Sequence, residues 1–268
     1  QAVAKRFNSA CVRFLRLSLF GALKATSQLQ SRIETGSFAA FHRVLLQDST
    51  SLALPRRLAA IFPGSGNQHH AKTATLKIQT LYDALGEQFI DFLLTPFTRN
   101  DQSASRDMLA QLRPGDLVLR DLGYFVLGVF AEIAQRGAYF LSRYQHGTTL
   151  TRQDGQSFNL LKELRRHNTL DVDLRLGSKA KLPVRVVAIP VPKHVAEARR
   201  RHLRHNRNRK VNPSAEHLAL LDWEIFITNV TPEIWTTSAV AAVYGIRWRI
   251  EIMFKAWKRH FKLPRFTD

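Results

Sequence analysis

Two short apolar runs in this chain each finish on an aspartate: His42-Arg-Val-Leu-Leu-Gln-Asp48 and Asp116-Leu-Val-Leu-Arg-Asp121. Runs of that length, rich in branched residues and closed by turn signals, read as short buried strands rather than helices. Ser49-Thr50 punctuates the first and Gly123 the second. The segments between them alternate in period. Residues 73–81 and 89–97 read as strands joined through Gly86, and residues 138–143 as another. Residues 100–112 read as a helix ended by Pro114-Gly115, and residues 124–135 as a second helix. Alternation of this kind predicts a mixed α/β layer structure.

From about residue 146 to 236 the texture changes. Residues 170–176 and 184–189 alternate like strands and are spaced by Gly and Pro. Residues 193–210 then carry eight Lys or Arg and a single acid, Glu197. This part is expected to be a β-rich insertion bearing a basic helix or arm. The last segment, residues 238–263, is expected to be one long helix, opening near Thr236-Thr237-Ser238 and stopping before Pro264. The resulting division is an N-terminal helical fragment (1–40), with Val12, Leu15, Leu19 and Leu23 on one face, a first α/β part (41–145), the insertion (146–236) and a closing helix (237–268).

Charge narrows the partners. Forty Lys and Arg against 21 Asp and Glu leave +19 over 268 residues, with an isoelectric point near 10.9. Such an excess repels itself unless a polyanion neutralises it, which makes nucleic acid the leading partner. A ribosome-associated or membrane-surface protein is the alternative. The one cysteine, Cys11, excludes an internal disulfide and a thiolate-rich zinc site. No apolar stretch reaches the roughly 18–20 residues that span a bilayer, so no membrane is expected and the cytoplasm is the expected compartment. The chain opens on Gln1 and is expected to be a piece of something longer. Gly64-Ser65-Gly66 lacks the lysine and hydroxyl residue of a nucleotide-binding loop, and neither His69-His70 nor His202-x-x-His205 has the partners of a metal site.

The closing helix holds the most telling pattern. At about 100° per residue, Tyr244, Arg247, Glu251 and Lys258 fall in one narrow arc, beside an apolar arc of Ile246, Ile250, Met253, Phe254, Trp257 and Phe261. Alone, Glu251 could equally be half of an ordinary i,i+4 pair with Arg247 or Lys255, and Asp48 or Asp121 a turn or cap acid. Together they suggest more. Strands that end on Asp put carboxylates at the C-terminal edge of a sheet, where α/β proteins place their sites. Three converging carboxylates repel unless hard cations lie between them.

Tyr244-x2-Arg247-x3-Glu251-x6-Lys258 resembles the Tyr-Arg-Glu-Lys signature of DDE transposases of bacterial insertion sequences, the IS-four family. Gln47-Asp48-Ser49-Thr50 and Arg120-Asp121-Leu-Gly-Tyr-Phe125 resemble the segments that bear that family's two catalytic aspartates, and Trp223-Glu-Ile-Phe-Ile-Thr-Asn229 a strand of its insertion. The resemblance covers most of residues 41–263. It implies a ribonuclease-H-like catalytic core, a mixed sheet flanked by helices, interrupted by a β-rich insertion. It also implies cleavage of DNA at element ends and transfer of the strands to target DNA. Asp48, Asp121 and Glu251 would hold two divalent ions, normally Mg²⁺ with Mn²⁺ able to substitute. Tyr244, Arg247 and Lys258 would hold phosphates of double-stranded DNA, with Arg143 a further phosphate contact and Trp223 a base-stacking residue. Pairing of two ends would require a homodimer.

Overall fold

The computed structural model describes residues 36–65, 73–205 and 212–260, together with two helical positions, Arg13 and Leu17. The expected N-terminal fragment up to residue 35, apart from those two positions, lies outside the described residues. So do His69-His70, the end of the basic run and residues 261–263 of the closing helix.

Among the described residues the strands are β1 (Val44–Leu54), β2 (Ala74–Asp83), β3 (Gln88–Pro96), β4 (Leu117–Arg120), β5 (Tyr139–Arg143), β6 (Leu150–Thr151), β7 (Leu170–Leu176), β8 (Leu182–Pro190) and β9 (Trp223–Thr228). The helices are α1 (Asp101–Ala104), α2 (Leu127–Gln135), α3 (Leu160–His167), α4 (Lys193–His205), α5 (Ala215–Leu220), α6 (Thr237–Gly245) and α7 (Trp248–His260). All strands belong to one sheet in the order β3-β2-β1-β4-β5-β9-β8-β7-β6. Only β1–β4 and β4–β5 are parallel; every other pair is antiparallel. The strands between residues 146 and 236 do not build a separate sheet. They extend the first one, through β9 pairing with both β5 and β8.

Strand alternation decides which face each residue meets. Val44, Leu46, Leu117 and Leu119 face a core shared with Val240 and Val243 of α6 and Ile250 and Phe254 of α7. Val118 and Phe140 face the opposite core, with Phe125, Val129, Phe130 and Ile133 from α2 and its approach. The sheet is therefore covered on both sides. Continuing the alternation puts Asp48 and Asp121 on the α6–α7 side and Gln47 and Arg120 on the α2 side.

Two expectations need correction. Asp48 does not end its strand, because β1 runs on to Leu54. What ends there is the parallel ladder: β1 pairs with β4 only from Val44↔Leu117 to Gln47↔Arg120, while its antiparallel pairing with β2 continues to Leu54↔Ala74. Asp48 and Asp121 are the first residues beyond that ladder. The closing helix, in turn, is two helices. Around Gly245, a poor helix former, the amides of Ile246 and Arg247 bond to the carbonyls of Val243 and Tyr244, at 3.1 Å each, in the tighter i to i+3 pattern. The single-helix arc therefore does not describe how Tyr244 stands relative to Glu251.

The helix expected over 100–112 is also cut short. Asn100 caps it by accepting the Ser103 amide at 2.8 Å, but α1 ends at Ala104. The Ser105 carbonyl is taken instead by the Arg120 guanidinium at 2.5 Å. Arg120 is almost wholly buried (1% exposed). Its other acceptors are neutral: Gln47 Oε1, from Nε at 2.9 Å and Nη2 at 2.6 Å, and Ser105 Oγ at 2.8 Å. Burial pushes its pKa down to about 9. Gln47→Ala removes two of those acceptor bonds and strands the charge. It is expected to cost about 2–4 kcal/mol of folding free energy, read from urea unfolding at neutral pH. A loss under about 1 kcal/mol would mean that water replaces the amide. No helix of the described residues is long and apolar enough to cross a membrane.

Candidate active site

Six of the eight residues singled out by sequence, Asp48, Asp121, Arg143, Tyr244, Arg247 and Glu251, come together at the end of the β1–β4 ladder. Asp48 lies on β1 beside Asp121, the first residue after β4. α6 brings Tyr244 and α7 brings Glu251, with Arg247 in the link between them. Arg247 is the hub. Its Nη2 lies 2.7 Å from Glu251 Oε1 and its Nη1 lies 3.3 Å from Asp48 Oδ2. The i,i+4 pair with Glu251 thus exists, but as one arm of a bridge whose other arm reaches 199 residues back along the chain. The Arg247 side chain is 4% exposed and lies over the rings of Tyr244 and Trp248, 5.6 Å from each centroid. On the other side, Arg143 Nη2 donates to Asp121 Oδ1 at 3.1 Å and the Tyr244 hydroxyl reaches the same oxygen at 3.4 Å.

Electrostatics shows how strained the grouping is. Burial raises the Asp48 pKa to about 6. The Ser49 amide, which donates to Asp48 Oδ1 at 2.8 Å, and Arg247 pull it down, while Asp121 and Glu251 push it further up. Burial also pushes Asp121 up, but Arg247 and then Arg143 outweigh it and hold that carboxyl below its ordinary value. Burial raises Tyr244, so its hydroxyl keeps its proton and stays a donor. The Nε atoms of both Arg143 and Arg247 are buried without a hydrogen-bond partner among the described residues. A buried N–H group without an acceptor is a cost carried inside this cluster.

Two of the named residues stand apart. Lys258 lies about two turns beyond Glu251 on α7 and has no ion pair among the described residues. Trp223, at the start of β9, spends its indole N–H on the Asn168 carbonyl at 2.7 Å and packs partly against the α2-side core. It does share a cleft of about 550 Å³ with Arg143 and Leu122.

Sequence reading missed the support behind Asp48. Asp101 Oδ1 accepts Ser49 Oγ at 2.9 Å, Lys77 Nζ at 3.0 Å and Gln79 Nε2 at 3.0 Å, and the Tyr124 hydroxyl donates to Gln79. The available signal was two long polar residues, Lys77 and Gln79, at alternate positions and so on one face of the strand.

Comparison with known proteins resolves what this cluster belongs to. The family model described as the transposase DDE domain matches residues 39–267. The chain belongs to the DDE transposase family. Among curated relatives, the transposase for insertion sequence element IS231B of Bacillus thuringiensis subsp. berliner is 30% identical over 289 aligned residues, covering 100% of this chain and 60% of the relative. The transposase for IS231D of Bacillus thuringiensis subsp. finitimus has the same identity and coverage. That for IS1151 of Clostridium perfringens is 26% identical, over 98% of this chain and 60% of the relative. The chain thus spans about 60% of the length of the curated relatives it matches.

Membership in the DDE transposase family implies divalent metal use, typically Mg²⁺. The donor chemistry fits: three carboxylates supply hard oxygen ligands, and Asp48 feels both of the others. In this arrangement Arg247 and Arg143 supply the countercharge. Among the described residues no three His, Cys, Asp or Glu side chains converge as closely as ligands of one ion.

Proposed function

We propose that this chain is the catalytic core of an insertion-sequence DNA transposase, cleaving double-stranded DNA at element ends and transferring the strands to target DNA. The observation that carries the reading is the bridge by which Arg247 joins Asp48 to Glu251, with Asp121 beside them at the end of the parallel ladder. A ribonuclease-H-like core is the architecture proposed. It is supported by the mixed sheet in which β1 is antiparallel to β2 and parallel to β4, with helices on both faces. The strands β6–β9 with α4 would be the insertion.

In this reading Asp48, Asp121 and Glu251 hold Mg²⁺, with Mn²⁺ able to substitute. Such ions, when bound, stabilise the attacking and leaving oxygens of an in-line phosphoryl displacement. The other side chains have defined tasks. Tyr244 orients Asp121 through its hydroxyl, which also reaches the Arg120 carbonyl at 3.3 Å. Arg143, whose side chain is 39% exposed, and Arg247 are assigned to phosphate oxygens, and Lys258 adds charge farther along the strand. Trp223 is assigned to base stacking across the cleft it shares with Arg143. Synapsis of two ends would make the working form a homodimer, acting in a bacterial cytoplasm.

The test is nicking of supercoiled plasmid and joining of oligonucleotide ends, with Mg²⁺ or Mn²⁺ and with chelator. Metal-dependent nicking that vanishes in Asp121→Asn and Glu251→Gln is expected. Nicking without joined products would favour a nuclease. Salt-sensitive DNA binding with no nicking in either metal would leave a DNA-binding fragment in place of an enzyme.

A further inference from the structure

Outside the carboxylate cluster, the densest charge among the described residues lies on α4. Its 13 residues hold five Lys or Arg, three His and one acid, Glu197. The helix is seated by Ala196, fully buried, and by Val195 and Leu203, half-buried. Two of its cations are spent on that seating: Arg199 pairs with Glu224 at 2.5 Å and Arg200 with Asp222 at 2.6 Å. At about 100° per residue, the seated residues occupy one side. Lys193, Arg201, Arg204, His194 and His205 occupy the other, all exposed, with the one acid, Glu197, among them. Lys193, Arg201 and Arg204 form no ion pair among the described residues.

A cationic stripe left open while its neighbours are paired is poised for an external polyanion. Its length, about 20 Å for 13 residues, spans several phosphates of one DNA strand, spaced about 3.4 Å along the axis. Ala198, Arg199, His202 and Leu203 line the cleft that also holds Arg143, so at about 100° per residue the stripe faces away from that cleft.

We propose that the outer face of α4, through Lys193, Arg201 and Arg204, tracks the sugar-phosphate backbone of duplex DNA. The inference rests on the transposase reading and names the surface that would bind its substrate. It predicts contacts to phosphate, not to bases, so the contribution should be independent of DNA sequence.

The experiment measures binding of the full 268-residue chain to a fluorescein-labelled duplex of arbitrary sequence by anisotropy, without divalent metal, over a series of salt concentrations. The double variant Arg201→Ala/Arg204→Ala is compared with Arg165→Ala/Arg166→Ala, which removes the same charge from exposed positions on α3. Loss of two phosphate contacts should lower the slope of log K against log salt by about two and weaken binding roughly tenfold or more near physiological salt. The α3 variant should keep the wild-type slope. An unchanged slope in the α4 variant, or an equal fall in both, overturns the proposal, since diffuse charge would then account for binding. Because no metal is present, this result is read separately from cleavage. Failure of the wild type to nick DNA would sink the transposase reading and leave the α4 result standing.

Discussion

Asp48→Asn is expected to abolish metal-dependent strand cleavage and, in the same molecule, to make the folded chain more stable. The two effects share a cause. Burial and two neighbouring acids disfavour the charged form of Asp48 and raise its pKa to about 6. A group whose folded pKa lies above its unfolded value, near 3.9, favours folding most when it is protonated. That advantage is complete below the unfolded pKa and is lost as the pH rises through about 6. Asparagine is neutral throughout. Wild type and variant should therefore match near pH 4 and diverge above about pH 6, where the variant gains on the order of 3 kcal/mol. Cleavage should fall by about a thousandfold or more, because an amide is a poor substitute for a carboxylate ligand. Urea unfolding across this pH range, beside a plasmid-nicking assay, reads both effects. A variant less stable than wild type near pH 8 would show that the Arg247 contact outweighs the burial of Asp48.

Arg247→Ala should act in the opposite direction. It removes the side chain that, among the described residues, contacts both Asp48 and Glu251 and also holds Asp121 down. The acids would then lose that countercharge, with Arg143 still paired to Asp121. Breaking a buried ion pair from one side costs about 3–5 kcal/mol, and the partial exposure of the acids, 16% and 27%, places this case near the lower end. The sign again follows from linkage. Without Arg247 the folded pKa values of Asp48 and Asp121 rise, so the loss of stability is largest near pH 8 and shrinks as falling pH protonates the acids. Arg247→Lys should recover only part of it, because an ammonium cannot offer two diverging N–H arms to two carboxylates. Equal losses near pH 4 and pH 8 would assign the effect to packing over Tyr244 and Trp248 instead of to charge.

Both predictions concern a site built from separate pieces that local patterns had marked one by one. The acid-terminated runs, the Tyr-Arg-Glu-Lys spacing and the basic run are local features, and each names its residues without reference to a fold. Their boundaries were less legible. The hydrophobic period of residues 238–263 cannot register the two tightened bonds at Gly245, because those change the helical phase without changing which residues are apolar. The end of α1 at Ala104 depends on Arg120 taking the Ser105 carbonyl from 15 residues away, which no window over residues 100–112 contains.

Sequence alone determined the chemistry on offer: three acids, the cations spaced around the last of them, an excess of positive charge, and the alternation of short buried strands with helices. Tertiary structure alone decided how those groups meet. Asp48 and Asp121 are neighbours because β4 stops at Arg120 while β1 continues, and a strand's end is set by its partner's length as much as by its own residues. Arg247 became a bridge because α6 and α7 pack over that particular edge. Arg199 and Arg200 became anchors, leaving Arg201 and Arg204 open, because β9 places Glu224 beside α4 and the turn before β9 places Asp222 there. Charges and periods are properties of residues and their near neighbours. The energy of a buried charge depends on what stands across from it, and only the closed fold puts those partners in place.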